Sequence, residues 1–112
     1  MTEDDHQRRF MDELFSTIKS RQGDDPEKSY TVQLFAGGSE EISRKIGEEA
    51  TEVIVAALRE TPAHVVSEST DLLYHLMVLW AMQDITPEDV MEELASRAGT
   101  SGIEEKESRE DG

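Results

Sequence analysis

The sequence predicts an all-α fold, an antiparallel bundle of four main helices. Three observations carry this. Apolar residues recur at helical spacing over long stretches, and no stretch of any length alternates as a strand would. All three prolines, Pro26, Pro62 and Pro87, follow a residue of capping type, so each marks a helix start and none interrupts a helix. The connections between the periodic segments are short, which favours antiparallel neighbours.

Residues 1–5 are polar and read as a frayed end. A helical pattern then runs to about Gln22, with Phe10, Leu14, Phe15 and Ile18 on one stripe. Gly23 and the pair Asp24-Asp25 close it, and Asp25-Pro26 opens a short turn. Ser29 to Gly38 reads as irregular or as a single helical turn, broken at Gly37-Gly38. Ser39 is placed to cap a long helix ending near Glu60, and Thr61-Pro62 starts the next, to about Gln83. Thr86-Pro87-Glu88-Asp89 opens the last helix, with an acid at the capping-box position and an end near Arg97-Ala98-Gly99. From Thr100 to Gly112 the one aliphatic residue is Ile103, and the segment reads as a disordered acidic tail. Residues 6–99 are thus expected to form one all-α domain.

The formal net charge is −15, from 26 acidic and 11 basic residues. Such a surface repels nucleic acid. No apolar run is long enough to span a membrane, and the acidic start, Met1 to Gln7, does not read as a secretory signal. The chain has no cysteine, which fits a reducing cytoplasm and excludes thiolate metal sites. Acid excess with few lysines suggests adaptation to salt, where screening offsets self-repulsion. In such a protein an acidic helix face is usually only a solvated face, so carboxylates must be judged by position.

Two carboxylate pairs stand out by position, Glu49 with Glu52 and Glu68 with Asp71. Residues three apart lie on the same side of a helix, one turn from each other. On a helical wheel measured from Ile42, the residues Ile46, Ala50, Val53, Ile54, Ala56 and Ala57 fill an arc from about −40° to +120°. Glu49 falls inside it at about −20°, Glu52 at its edge near −80°, and Glu48 outside near −120°. On the next helix, measured from Val65, Glu68, His75 and Asp71 share one flank of the apolar face made by Leu72, Leu73, Leu76, Met77, Leu79 and Trp80. A hairpin turning near residue 60 sets Glu49 level with Asp71 and Glu52 beside Glu68, because each pair is equidistant from that turn. Four converging carboxylates repel one another unless one stays protonated or a cation neutralises them. An all-oxygen donor set favours Mg²⁺ or Mn²⁺ over zinc.

Phosphate substrates also need cations. Arg44-Lys45 precedes Glu48-Glu49 by one turn, and Lys28 stands just before Ser29-Tyr30-Thr31. Lys45 lies on the carboxylate side of its wheel, either to meet a phosphate or to pair with Glu49. His75 is either a support to the metal ligands, a phosphate contact or a boundary residue. Gly47 sits mid-helix, where it costs about 1 kcal/mol relative to Ala; it is either a point of close approach for a substrate or another backbone, or a tolerated packing glycine.

The order Glu48-Glu49-x-x-Glu52, a helical gap, then Glu68-x-x-Asp71 resembles the all-α nucleoside triphosphate pyrophosphohydrolase superfamily, which includes MazG-type enzymes and dimeric dUTPases. Within it, three pieces resemble the phosphoribosyl-ATP pyrophosphohydrolase family of histidine biosynthesis: Asp25-Pro26-Glu27-Lys28-Ser29-Tyr30-Thr31, Lys45-Ile46-Gly47-Glu48-Glu49-Ala50-Thr51-Glu52 and Asp71-Leu72-Leu73-Tyr74-His75-Leu76. The resemblance covers roughly residues 10–98. It implies hydrolysis of the α–β phosphoanhydride of phosphoribosyl-ATP to phosphoribosyl-AMP and pyrophosphate. It implies that Glu49, Glu52, Glu68 and Asp71 hold Mg²⁺, with Mn²⁺ as a substitute. Glu48 would be a general base or a carboxylate beyond the direct ligands, and Lys45 would bind phosphate. Ser29, Tyr30 and Thr31 would line the substrate pocket. It also implies a homodimer or higher homo-oligomer, which suits a chain whose few amphipathic helices offer a thin core. Two other functions share these features: a house-cleaning pyrophosphohydrolase of free nucleotides, and a non-catalytic acidic helical dimerisation module.

Overall fold

The computed structural model describes residues 3–25, 27 and 29–98. Four α-helices make up the described chain: α1 (Glu3–Ser20), α2 (Tyr30–Arg59), α3 (Pro62–Met82) and α4 (Pro87–Ala98). No strand occurs among the described residues. Helix α1 begins inside the segment expected to fray, at Glu3. Met1, Thr2, Gly99 and the tail 100–112 lie outside the described residues, as does Lys28.

The starts of α3 and α4 follow the capping chemistry of the sequence. Thr61 accepts from the His64 N–H at 3.3 Å, with Pro62 at the first helical position. At α4 the Thr86 hydroxyl accepts from the Asp89 N–H at 3.1 Å, and the Asp89 carboxylate accepts from the Thr86 N–H at 2.9 Å, a reciprocal capping box. Asp25 accepts from the Glu27 N–H at 3.0 Å and shapes the turn before α2.

The stretch Ser29 to Gly38 differs from expectation. It is helical from Tyr30, because the Ser29 hydroxyl caps the turn by accepting from the Val32 N–H at 3.2 Å. Thr31, Val32 and Leu34 are buried, so tertiary packing holds a segment that its two glycines weaken locally. The expected break is real and lies inside α2. Gly38 has φ 74° and ψ −170°, a backbone region open essentially only to glycine. A Cβ on Gly37 would meet the Glu41 side chain at 2.8 Å, so the corner also needs a residue without one. The corner folds Tyr30–Gly37 back along α3: Tyr30 reaches His75 and Thr31 reaches Tyr74, while Gly38 and Ser39 border a cavity of about 300 Å³ with Phe35 and Met82.

Helices α2 and α3 form the antiparallel hairpin, α1 packs on α3, and α4 packs on α1. The core gathers Phe15 and Ile18 of α1, Leu34 and Ile42 of α2, and Met77, Val78 and Ala81 of α3. Phe10 begins the α1 stripe yet stays 64 % exposed. The core thus occupies the end of the hairpin away from its turn. Towards the turn, Ile54 (58 % exposed), Val55, Leu58 (77 %) and Val66 (66 %) face outward, although the wheel counts Ile54 among the apolar arc. A Lys19–Asp84 ion pair at 2.9 Å ties α1 to the end of α3; both groups are largely exposed, so it is worth little.

The Gly38 corner yields a direct expectation. Gly38→Ala lowers unfolding free energy by about 1–3 kcal/mol, read as a lower midpoint in urea, whereas Gly47→Ala, at a helical position, does not destabilise the isolated chain. Equal midpoints for wild type and Gly38→Ala would contradict the strained corner.

Candidate functional site

The hairpin turn at Glu60-Thr61 sets α2 against α3 in the register expected from the sequence. One carboxylate oxygen from each of Glu49, Glu68 and Asp71 lies within 4.8 Å of the other two. Glu52 lies outside that trio but next to it, and pushes both Glu49 and Glu68 upward. Three of the four expected acids therefore converge, with Glu52 at their side. Glu49 and Glu68 are half-buried and Asp71 is exposed. The Oε2 atoms of Glu49 and Glu68 are both closed off from solvent and have no hydrogen-bond partner. Leaving a buried polar atom unsatisfied costs on the order of 1–3 kcal/mol, more for a charged group. Two such atoms beside a third carboxylate, all oxygen donors, are chemically suited to a hard divalent cation.

The electrostatics agree. Burial is the largest influence raising Glu49 above the usual carboxylate range; Glu52 and Asp71 push it further up, and His75 opposes them. Glu68 is raised first by its hydrogen bond with Glu52, then by burial and by the charges of Glu52, Asp71 and Glu49.

Glu48 stands apart, as its wheel position required. Its carboxylate is exposed and pairs with Arg44 and, at 3.8 Å, with the Lys45 ammonium. Lys45 thus pairs with Glu48 and not with Glu49. Arg44 also grips Glu41 at 2.6 Å, which holds the Glu41 carboxyl below its ordinary value through the hydrogen bond from Arg44. Glu41 was not singled out by motif spacing, although the i,i+3 and i,i+4 pattern Glu41-Arg44-Glu48 was there to be seen.

The residues expected at the substrate pocket have partners within the chain. Ser29 is the cap of α2. Thr31 is buried and its hydroxyl bonds that of Tyr74. The Tyr30 hydroxyl lies 2.8 Å from His75 Nε2, and His75 Nδ1 lies 2.7 Å from the Asp71 carbonyl oxygen. Tyr74 was part of a recognised motif, but its own contact was not foreseen. Around Gly47, a Cβ would meet nothing within 4 Å, so no packing among the described residues demands a glycine there.

Comparison with known proteins adds an independent line. The sequence profile described as "Phosphoribosyl-ATP pyrophosphohydrolase" matches residues 11–98. The chain is 54 % identical over 101 residues to the phosphoribosyl-ATP pyrophosphatase of Paramagnetospirillum magneticum, covering 90 % of this chain and 93 % of that one. It is 59 % identical over 99 residues to that of Rhodospirillum rubrum, covering 88 % and 85 %. With that of Azospirillum brasilense it is 50 % identical over 109 residues, covering 97 % and 98 %.

The carboxylate nest predicts a pH signature. Glu49 and Glu68 have folded values raised above their unfolded ones. Stability on their account is full below the ordinary Glu range and is lost as pH rises through the raised values. In chelator, wild type and Glu49→Gln should melt alike near pH 4, and wild type should fall behind as pH rises towards about 7. Adding Mg²⁺ should restore wild type alone. A melting difference that ignores both pH and cation would count against the nest.

Proposed function

The chain belongs to the phosphoribosyl-ATP pyrophosphohydrolase family, and from that membership we propose that it hydrolyses phosphoribosyl-ATP to phosphoribosyl-AMP and pyrophosphate in histidine biosynthesis. The observation that carries the reading is the pair of buried, unpartnered oxygens of Glu49 and Glu68 within a converging set of acids. Glu49, Glu52, Glu68 and Asp71 would hold Mg²⁺, or Mn²⁺ in its place. Bound there, the cation would supply charge neutralisation for the triphosphate and the leaving pyrophosphate.

The chain's own cations complete the site. Lys45 carries the charge that meets substrate phosphate, with Arg44 one residue before it. Both are paired to Glu48, which supports an outer role for Glu48: it holds two cations beside the nest, with general base as its alternative role. Water adds across the α–β phosphoanhydride: the bridge between the two phosphorus atoms breaks, one side ending as phosphoribosyl-AMP and the other as pyrophosphate. Ser29, Tyr30 and Thr31 would stand on the substrate side, held there by bonds within the chain. The absence of any helix among the described residues long and apolar enough to cross a membrane is compatible with the cytoplasmic location of such an enzyme. The acid excess supports activity at high salt.

The outward apolar residues near the hairpin turn support homo-oligomerisation, with a second copy of this chain covering Ile54, Leu58 and Val66. Gly47, on the same helix, is free to accept a close neighbour.

Two measurements test this. Pyrophosphate release should be fast from phosphoribosyl-ATP with Mg²⁺ and slow from dUTP and ATP, in low and high salt, and Glu49→Gln should lose on the order of 100-fold or more in kcat/KM. Comparable turnover of dUTP would favour a house-cleaning enzyme, and no release from any nucleotide would favour a dimerisation module. Leu58→Glu should shift the species seen by light scattering towards monomer; an unchanged mass would place the contact elsewhere.

A further inference from the structure

His75 is 5 % exposed, and both of its ring nitrogens are used inside the chain. The Asp71 carbonyl oxygen can only accept, so Nδ1 carries a proton. In the neutral ring Nε2 then offers its lone pair, and the Tyr30 hydroxyl donates to it. The imidazole stands edge-on to Tyr30, ring centroids 5.8 Å apart, and edge-on to Tyr74 at 6.3 Å. Nothing remains on the ring for a phosphate unless one of these bonds breaks. The ring nevertheless sits beside the nest: it follows Asp71 by one helical turn and bonds that residue's carbonyl.

Tyr30 reaches this ring from another part of the chain, at the first turn of α2 beyond the Gly38 corner. Its neighbour Thr31 bonds Tyr74, so two adjacent hydroxyl contacts stitch that turn to a single stretch of α3. We propose that Tyr30 is a positioning residue that acts through His75. Its hydroxyl locks the imidazole, and the locked ring holds the Asp71 turn against Glu49, so that the acids are spaced for a cation before one arrives. Groups that orient metal-holding side chains typically change metal affinity or activity by 10–100-fold when removed. The inference rests on the nest being the cation site, and it gives Tyr30 and His75 a different task from touching substrate.

The test uses the full chain with Tyr30→Phe, His75→Asn and the double variant, Tyr30→Phe removing only a hydroxyl. Mn²⁺ affinity without nucleotide is measured by calorimetry, and kcat and KM for phosphoribosyl-ATP are measured at saturating Mg²⁺. Tyr30→Phe should weaken Mn²⁺ binding about 10-fold and lower kcat, with KM little changed. In the His75→Asn background the same change should add nothing. A raised KM with unchanged Mn²⁺ affinity would show direct substrate contact and overturn the proposal, as would full additivity or a silent Tyr30→Phe. Should His75→Asn fail to fold by circular dichroism, the Tyr30→Phe measurements alone decide. A wild type that neither binds Mn²⁺ nor hydrolyses phosphoribosyl-ATP would sink the parent reading and this inference with it. A normal wild type beside a silent Tyr30→Phe sinks only the inference.

Discussion

Like charges held together in a half-buried place constrain this molecule more than any other interaction. Two helices carry acids at matching distances from one turn, and folding brings those acids into a common volume. A solvated surface would let them spread. Here burial and mutual repulsion lift Glu49 and Glu68 in the same direction, and two of their oxygens have no donor. Folding alone gives no compensation for that arrangement, so the stability of the hairpin depends on what the rest of the chain supplies and on what the acids bind.

The supply comes from the opposite end. Helices α1 and α4 never need to approach the acids; α1 grips the later part of α3 and α4 rests on α1. At the core end, beside Met82, the Gly38 corner turns one helical stretch back over α3. A straight α2 would carry Tyr30 beyond the end of α3. The corner instead delivers it to His75, beside the acids.

Much of this was legible in the residues. Proline and threonine fixed the starts of α3 and α4, because capping is a local interaction and sequence records it. The meeting of Glu49 with Asp71 and of Glu52 with Glu68 followed from one turn and helical geometry. What could not be read was anything decided by tertiary contact. Ser29 to Gly38 reads as irregular because glycines weaken it locally, and burial of Thr31, Val32 and Leu34 joins the Ser29 cap in making it helical from Tyr30. His75 showed its flank on the wheel, but not that both its nitrogens are engaged. Ile54 belongs to an apolar arc by periodicity, yet the described residues leave it exposed. A wheel gives direction, and a neighbour is needed to turn direction into burial.

The offset between the core and the acids has a practical meaning. The packed cluster of Phe15, Ile18, Met77, Val78 and Ala81 is a reservoir of cohesion remote from the acid cluster. Volume-conserving repacking of that cluster, or better surface charge on α4, alters the margin against unfolding while the acid geometry stays as it is. Robustness and chemistry can therefore be tuned on separate dials in this small chain, a freedom that proteins with a catalytic group embedded in their main core do not have.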